Sequence, residues 1–148
     1  MSAARRATSK EAIMPSVSVE LRNIAGTEAA LGWAGAHTVV IDRPEGRAGG
    51  RGLGFNGAQL LALTIGGCFC NDLRYVAHAT GVELGAISVS ATVELEGDPI
   101  LATTATMVVS CETLDGSSAE SIIEKAKAVC MAINSLRRGV SVEVRTAA

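Results

Sequence analysis

The sequence predicts an α+β protein, a mainly antiparallel sheet with two helices packed on it. Three observations carry this reading. Residues 16–23 and 86–96 alternate apolar and polar side chains with a period of two, as half-buried strands do. Residues 58–69 are apolar on nearly every side, the pattern of a helix with protein all round it. Ile122, Ile123, Ala126, Val129, Cys130 and Ile133 recur at helical spacing and form one continuous apolar stripe.

Each element then follows in order. In the first strand Val17, Val19 and Leu21 face one way and Ser18, Glu20 and Arg22 the other. Residues 26–36, rich in glycine and alanine, turn the chain back, and residues 37–42 return as a second strand. Residues 43–57 hold six glycines and three arginines without periodicity, a loop whose length inside a compact domain points to function. The central helix begins after it and stops at Gly81. Gly66 and Gly67 interrupt it just before Cys68. Glycine inside a helix costs about 1 kcal/mol against alanine, tolerated where another backbone or a ligand must come close. Residues 86–96 and 101–111 form a hairpin about the turn Gly97-Asp98-Pro99. Ser117, with Glu120 three residues on, fits a capping box opening the second helix. Gly139 ends that segment, and Val140, Val142 and Val144 form a last strand. Residues 16–148 read as a single domain and residues 1–15 as a frayed, solvated tail.

Composition removes several classes of function. At 48% hydrophobic and 19% charged the chain is globular, and at 3% aromatic its core must be aliphatic. A net charge of −2 with few aromatics suits no nucleic-acid partner. No run approaches the roughly 18 apolar residues of a membrane span, and residues 1–12 lack the apolar centre of a signal peptide. A cytosolic setting is expected, in which thiols stay reduced. No cofactor is expected.

The four cysteines are therefore core residues, metal ligands or redox groups. Cys68 and Cys70, two apart on a helix, point about 200° apart and cannot share a metal or a disulfide. With only His37 and His78 to add, no metal site is expected. Cys111, on the strand face shared with Met107 and Val109, reads as a small core hydrophobe. For Cys68 taken alone, packing is again the plainer reading. It lies too deep in its helix for help from the dipole, so a reactive thiolate needs a cation brought to it. Arg43, Arg47 and Arg51 of the glycine-rich loop are the candidates, and Cys130 could then serve as a resolving thiol.

The segments QLLALTIGGC (residues 59–68) and CMAINSLRRGVSVEV (residues 130–144) resemble the two cysteine-bearing helices of the OsmC/Ohr family, the osmotically induced and organic-hydroperoxide-resistance proteins. The upstream GTEAALGWAGAHTVVIDRPEG and the glycine loop after it are similar to the family's N-terminal half, so the resemblance spans residues 17–144. It implies an intertwined homodimer with active sites at the subunit interface. It further implies a two-cysteine peroxidase that reduces organic hydroperoxides and is recycled by a dithiol, often a protein-bound lipoyl group. By position it makes Cys68 the peroxidatic cysteine and Cys130 the resolving one. Family peroxidases carry a glutamate, in a Pro-Glu step at the start of the first helix, that holds an arginine against the thiolate. Here that place reads Gly57-Ala58-Gln59, with no proline and no carboxylate, so the glutamate's position falls on Ala58, or on Gln59 if the register is one residue off. The arginine is Arg47, the nearest by spacing, or Arg51, the next. Asp72, one turn beyond Cys68, sets a like charge beside any thiolate.

Two functions are thus expected of this sequence, from different classes. The first is thiol-dependent reduction of organic hydroperoxides, for which aliphatic surroundings favour an alkyl or lipid peroxide. The second is a non-catalytic dimer of the same fold that binds a small apolar ligand and keeps its cysteines as packing.

Overall fold

The computed structural model describes residues 15–147, so the expected tail lies, but for Pro15, outside them. The architecture is α+β, with two antiparallel sheets and three helices. It falls into two compact units, one ending at Gly54 and the other beginning at Phe55.

The first unit is a three-stranded antiparallel sheet in the order β1 (Glu20–Asn23), β2 (Ala30–Ala34), β3 (His37–Ile41). Its first strand is shorter than the alternation suggests. Its middle strand, β2, falls in the segment the sequence reads as a turn. Glycine and alanine have low strand propensity, yet ALGWA is held by a partner on each side, with Gly32 opposite Leu21 and Val39. A Cβ on Gly32 would stand 3.1 Å from Ile41 Cδ1, so the glycine lets the neighbouring side chains close over the strand.

Beyond β3 the loop is organised by Asp42. Its buried carboxylate accepts the backbone N–H groups of Arg43 at 2.8 Å, Arg51 at 3.0 Å and Leu53 at 3.1 Å. Those bonds, that of Leu53 foremost, hold its pKa below the usual carboxylate value. The Arg43 guanidinium reaches back to the Glu28 carbonyl at 3.1 Å and its carboxylate at 3.3 Å.

The second unit holds α1 (Gly57–Thr80), the hairpin β4 (Leu84–Glu96) and β5 (Leu101–Thr113), then α2 (Glu120–Val129) and α3 (Met131–Arg138). The hairpin pairs Ile87 with Cys111, Val89 with Val109 and Ala91 with Met107, and this face lies half-buried, with Ile87, Val89, Met107 and Val109 packed against the core. Helix α1 ends as expected: Gly81 takes φ 70°, its N–H reaching His78 O while the Val82 N–H reaches Ala77 O. The core is Phe69, Leu73 and Ala77 of α1 against Ile122, Ala126, Cys130 and Ala132. None of the helices among the described residues is long and apolar enough to cross a membrane.

Several expectations need correction here. Among the described residues there are two sheets where one was expected, and three helices where two were. The helix read as continuous through Cys130 breaks there, with Cys130 at ψ 114° between α2 and α3. The Asn134 side chain donates to Ala128 O at 3.0 Å, satisfying a carbonyl that the break frees. Val129, assigned to the buried stripe, is 58% exposed. Ser117 forms no capping box. Its N–H is taken up by Asp115 at 2.9 Å, and Ser118 Oγ accepts the Glu120 N–H instead. Residues 140–147 pair with no strand among the described residues, and Val140, Val142 and Val144 stand exposed. A strand exists only where a second one takes up its backbone groups.

Candidate functional site

Helix α1 positions the first member of the site. Its start is fixed by Asn56, whose side chain accepts the Gln59 N–H at 2.9 Å while Gln59 Oε1 accepts the Asn56 N–H at 3.0 Å. This reciprocal pair is a capping box. Gln59 therefore has a structural role at one of the two positions, with Ala58, where a catalytic carboxylate was sought. From that start, three turns bring Cys68 to the edge of the core, half-buried beside the fully buried Phe69.

Gly66 is buried against β4, where a Cβ would meet Ala91 Cβ at 3.4 Å, an ordinary contact. Gly67 has no atom within 4 Å of such a Cβ. A Cβ would thus fit at either position, and the close approach expected over the glycine pair is not seen among the described residues.

Cys130 comes to the same place from the other side. Tertiary packing of α2 and α3 on α1 brings it there, and it is wholly buried. The Cys68 thiol donates to Asp72 Oδ2 at 3.6 Å, one helical turn on. The sulfurs of Cys68 and Cys130 and a carboxylate oxygen of Asp72 all lie within 4.8 Å of one another. Burial, with the nearby Asp72 carboxylate and Cys68, pushes the Cys130 thiol up to about 12, although the Ile133 backbone N–H works the other way. At neutral pH Cys130 is therefore a thiol, and its proton must go elsewhere before its sulfur can act.

Two sulfurs this close need only a modest side-chain rotation to form a disulfide. The three donor atoms could also touch one cation, a set missed by a sequence reading confined to Cys68 and Cys70. It lacks the fourth ligand of a structural zinc site and contains no histidine. Cys70 stands apart, lining a shallow groove with Phe55, Leu63, Gly67 and Val89. Cys111 is half-buried on the inner face of β5, and its thiol is pushed up mainly by burial. Arg47 and Arg51 belong to the first unit, where both are exposed. The backbone of Arg47 closes a turn with Pro44 O at 3.1 Å, and that of Arg51 bonds Asp42.

Ile65, Phe69, Met107, Val109, Ile133 and Leu136 line a largely apolar groove of about 580 Å³, with Lys127 and Arg137 also in its walls and neither Cys68 nor Cys130 among its lining residues.

A family model described as OsmC-like protein matches residues 49–145. Among curated proteins none matches. An OsmC-like protein of unknown function from Vibrio cholerae superposes with a TM-score of 0.71 at 11% identity, covering 82% of this chain and 94% of that one. An organic hydroperoxide resistance protein from Legionella pneumophila gives a TM-score of 0.60 at 22% identity, over 84% and 90% of the two chains. The organic hydroperoxide resistance protein OhrB of Bacillus subtilis gives 0.55 at 22%, over 82% and 90%. At these identities the likeness to the solved structures is one of fold.

Proposed function

The chain belongs to the OsmC-like protein family, and from that premise we propose that it is a thiol-dependent reductase of organic hydroperoxides. Membership supports a stress- or redox-related role. The finer reading rests on one observation, a half-exposed cysteine and a buried one with sulfurs within 4.8 Å. Cys68 is the one a peroxide can reach. Its thiolate attacks the distal peroxide oxygen, the O–O bond breaks, and the alkoxide leaves as an alcohol once protonated. Sulfur is oxidised to a sulfenic acid and the peroxide is reduced. The Cys130 sulfur then displaces the hydroxyl of that sulfenic acid, giving a Cys68–Cys130 disulfide and water. An external dithiol, such as a protein-bound lipoyl group, returns the pair to thiols. The apolar groove suits an alkyl or lipid chain. The cycle fits a reducing compartment, the cytosol, and a homodimer, with Arg47 or Arg51 as the cation that favours the Cys68 thiolate.

One equivalent of cumene hydroperoxide followed by mass spectrometry tests this. A Cys68–Cys130 disulfide is expected. Cys68→Ser should abolish turnover, Cys130→Ser should leave a trapped sulfenic acid, and Cys70→Ser should change little. Full turnover by Cys68→Ser would overturn the assignment.

A second reading, a non-catalytic dimer that binds a small apolar ligand, is favoured by the start of α1, where neither Ala58 nor Gln59 is a carboxylate and Gln59 serves as a cap. Thiols left unmodified by the hydroperoxide would support it.

A further inference from the structure

We propose that Asp72 is a catalytic base of the resolving step, taking the proton of Cys130 as its sulfur attacks Cys68. The proposal rests on the thiol-redox reading above and adds to it a third reacting residue. Its ground is geometric: one carboxylate stands within 4.8 Å of both sulfurs and accepts a hydrogen bond from one of them at 3.6 Å.

The chemistry demands such a group. Cys130 is wholly buried, so its proton is not exposed to bulk water and needs an acceptor inside the protein. The other titratable groups nearby do not serve. The charged residues of α2, α3, β4 and β5 are all exposed. Among the described residues no lysine, arginine or histidine pairs with the Asp72 carboxylate. Cys111, facing in from β5, has Arg74 and Glu112 for charged neighbours. Among the described histidines, cysteines and acidic residues, those gathered about the Asp72 carboxylate are Cys68 on its own helix and Cys130 from the other side.

The step balances. In the reduced protein the Cys68 thiol occupies Asp72. Once Cys68 has become a sulfenic acid, that hydrogen bond is gone and the carboxylate can accept from Cys130. The S–H bond of Cys130 breaks toward Asp72, the S–S bond forms, and the S–O bond of the sulfenic acid breaks. Its hydroxide takes the proton back from Asp72 and leaves as water. The Cys130 sulfur supplies the electron pair of the new S–S bond, the S–O pair leaves with the hydroxide, both sulfurs end at the disulfide level, and no further reactant is needed.

The same proton transfer governs attack of Cys130 on any leaving group carried by Cys68, which separates this proposal from the peroxidase reading. In a Cys70→Ser, Cys111→Ala background, 4,4′-dithiodipyridine at one equivalent releases thiopyridone twice, first on loading Cys68 and then on attack by Cys130. Asp72→Asn, nearly isosteric, should slow the second release about 100-fold at pH 7, while the first, relieved of the like charge beside the Cys68 thiolate, should not slow. The slowed phase should recover as pH rises toward 10, while in the parent it should change far less. Asp72→Glu, which keeps the carboxylate, should restore part of the rate. Where Asp72→Asn fails to give a native circular dichroism spectrum, Asp72→Glu against the parent decides, because a base at a shifted position should slow the second phase and not the first. A second release at the parental rate and with the parental pH profile in Asp72→Asn overturns the proposal. A parent inert to cumene hydroperoxide whose second release still depends on Asp72 would sink the peroxidase reading and keep this one.

Discussion

The Cys130 thiol sits fully buried, with the Asp72 carboxylate and the Cys68 sulfur close by, and that burial ties its protonation to folding. Its pKa is pushed from an ordinary 9.0 to about 12 in the folded chain. Above pH 9 the unfolded chain therefore sheds this proton while the folded chain keeps it. Stability from this group is fully present below the unfolded value and is lost as pH climbs toward the folded one, at up to about 1.4 kcal/mol per pH unit. Urea unfolding in reductant between pH 7 and 10.5 should fall more steeply for the parent than for Cys130→Ala. Equal slopes would mean that Cys130 is solvated. The site was partly legible at this scale. The spacing of Cys68 and Asp72, one turn apart, could be read from the sequence, and the resemblance paired Cys68 with Cys130. That Cys130 meets the same carboxylate could not, because it depends on how α2 and α3 pack on α1.

Helix α1 shows a different limit. Asn56-x-x-Gln59 is a capping-box pattern, but the reading placed its box at Ser117 and treated Gln59 as a stand-in for a catalytic carboxylate. The box has a measurable value. Asn56→Ala should lower stability by about 1 kcal/mol. Gln59→Glu should not, since its carboxylate accepts the same N–H and a negative charge at a helix N-terminus is favourable by ~0.3–1 kcal/mol. If a carboxylate there steadies the arginine that activates Cys68, Gln59→Glu should also consume cumene hydroperoxide faster at pH 7. An unchanged single-turnover rate would show that Cys68 is activated by other means. Strands were legible where alternation met a hairpin turn, as in β4 and β5. They were not legible in β2, whose glycine and alanines give no local signal and which is held by partners on both sides. At residues 140–144 the alternation is present in the sequence, but no described strand pairs with it.

At the scale of the whole molecule, the second unit leaves more apolar surface in water than its own packing covers. Leu63 of α1 is 51% exposed, Val108 of β5 71%, and Met131 and Leu136 of α3 63% and 50%. The sequence reading expected α1 to be enclosed, and the single chain buries only Ile65, Gly66, Phe69, Leu73 and Ala77 along it. Each large apolar side chain fully buried adds roughly 1.5–3 kcal/mol, so a second copy covering several of them would make a stable dimer. Light scattering at micromolar concentration should give twice 15.1 kDa. Leu63→Glu tests the face directly. Glutamate is a good helix former and Leu63 is already half in water, so the fold should survive while a charge placed in an apolar interface opposes association. The variant should run as a folded monomer or dissociate at far higher concentration. A parent that is a stable, folded 15.1 kDa monomer would sink the dimer, and a Leu63→Glu dimer as tight as the parent would move the interface off this face of α1.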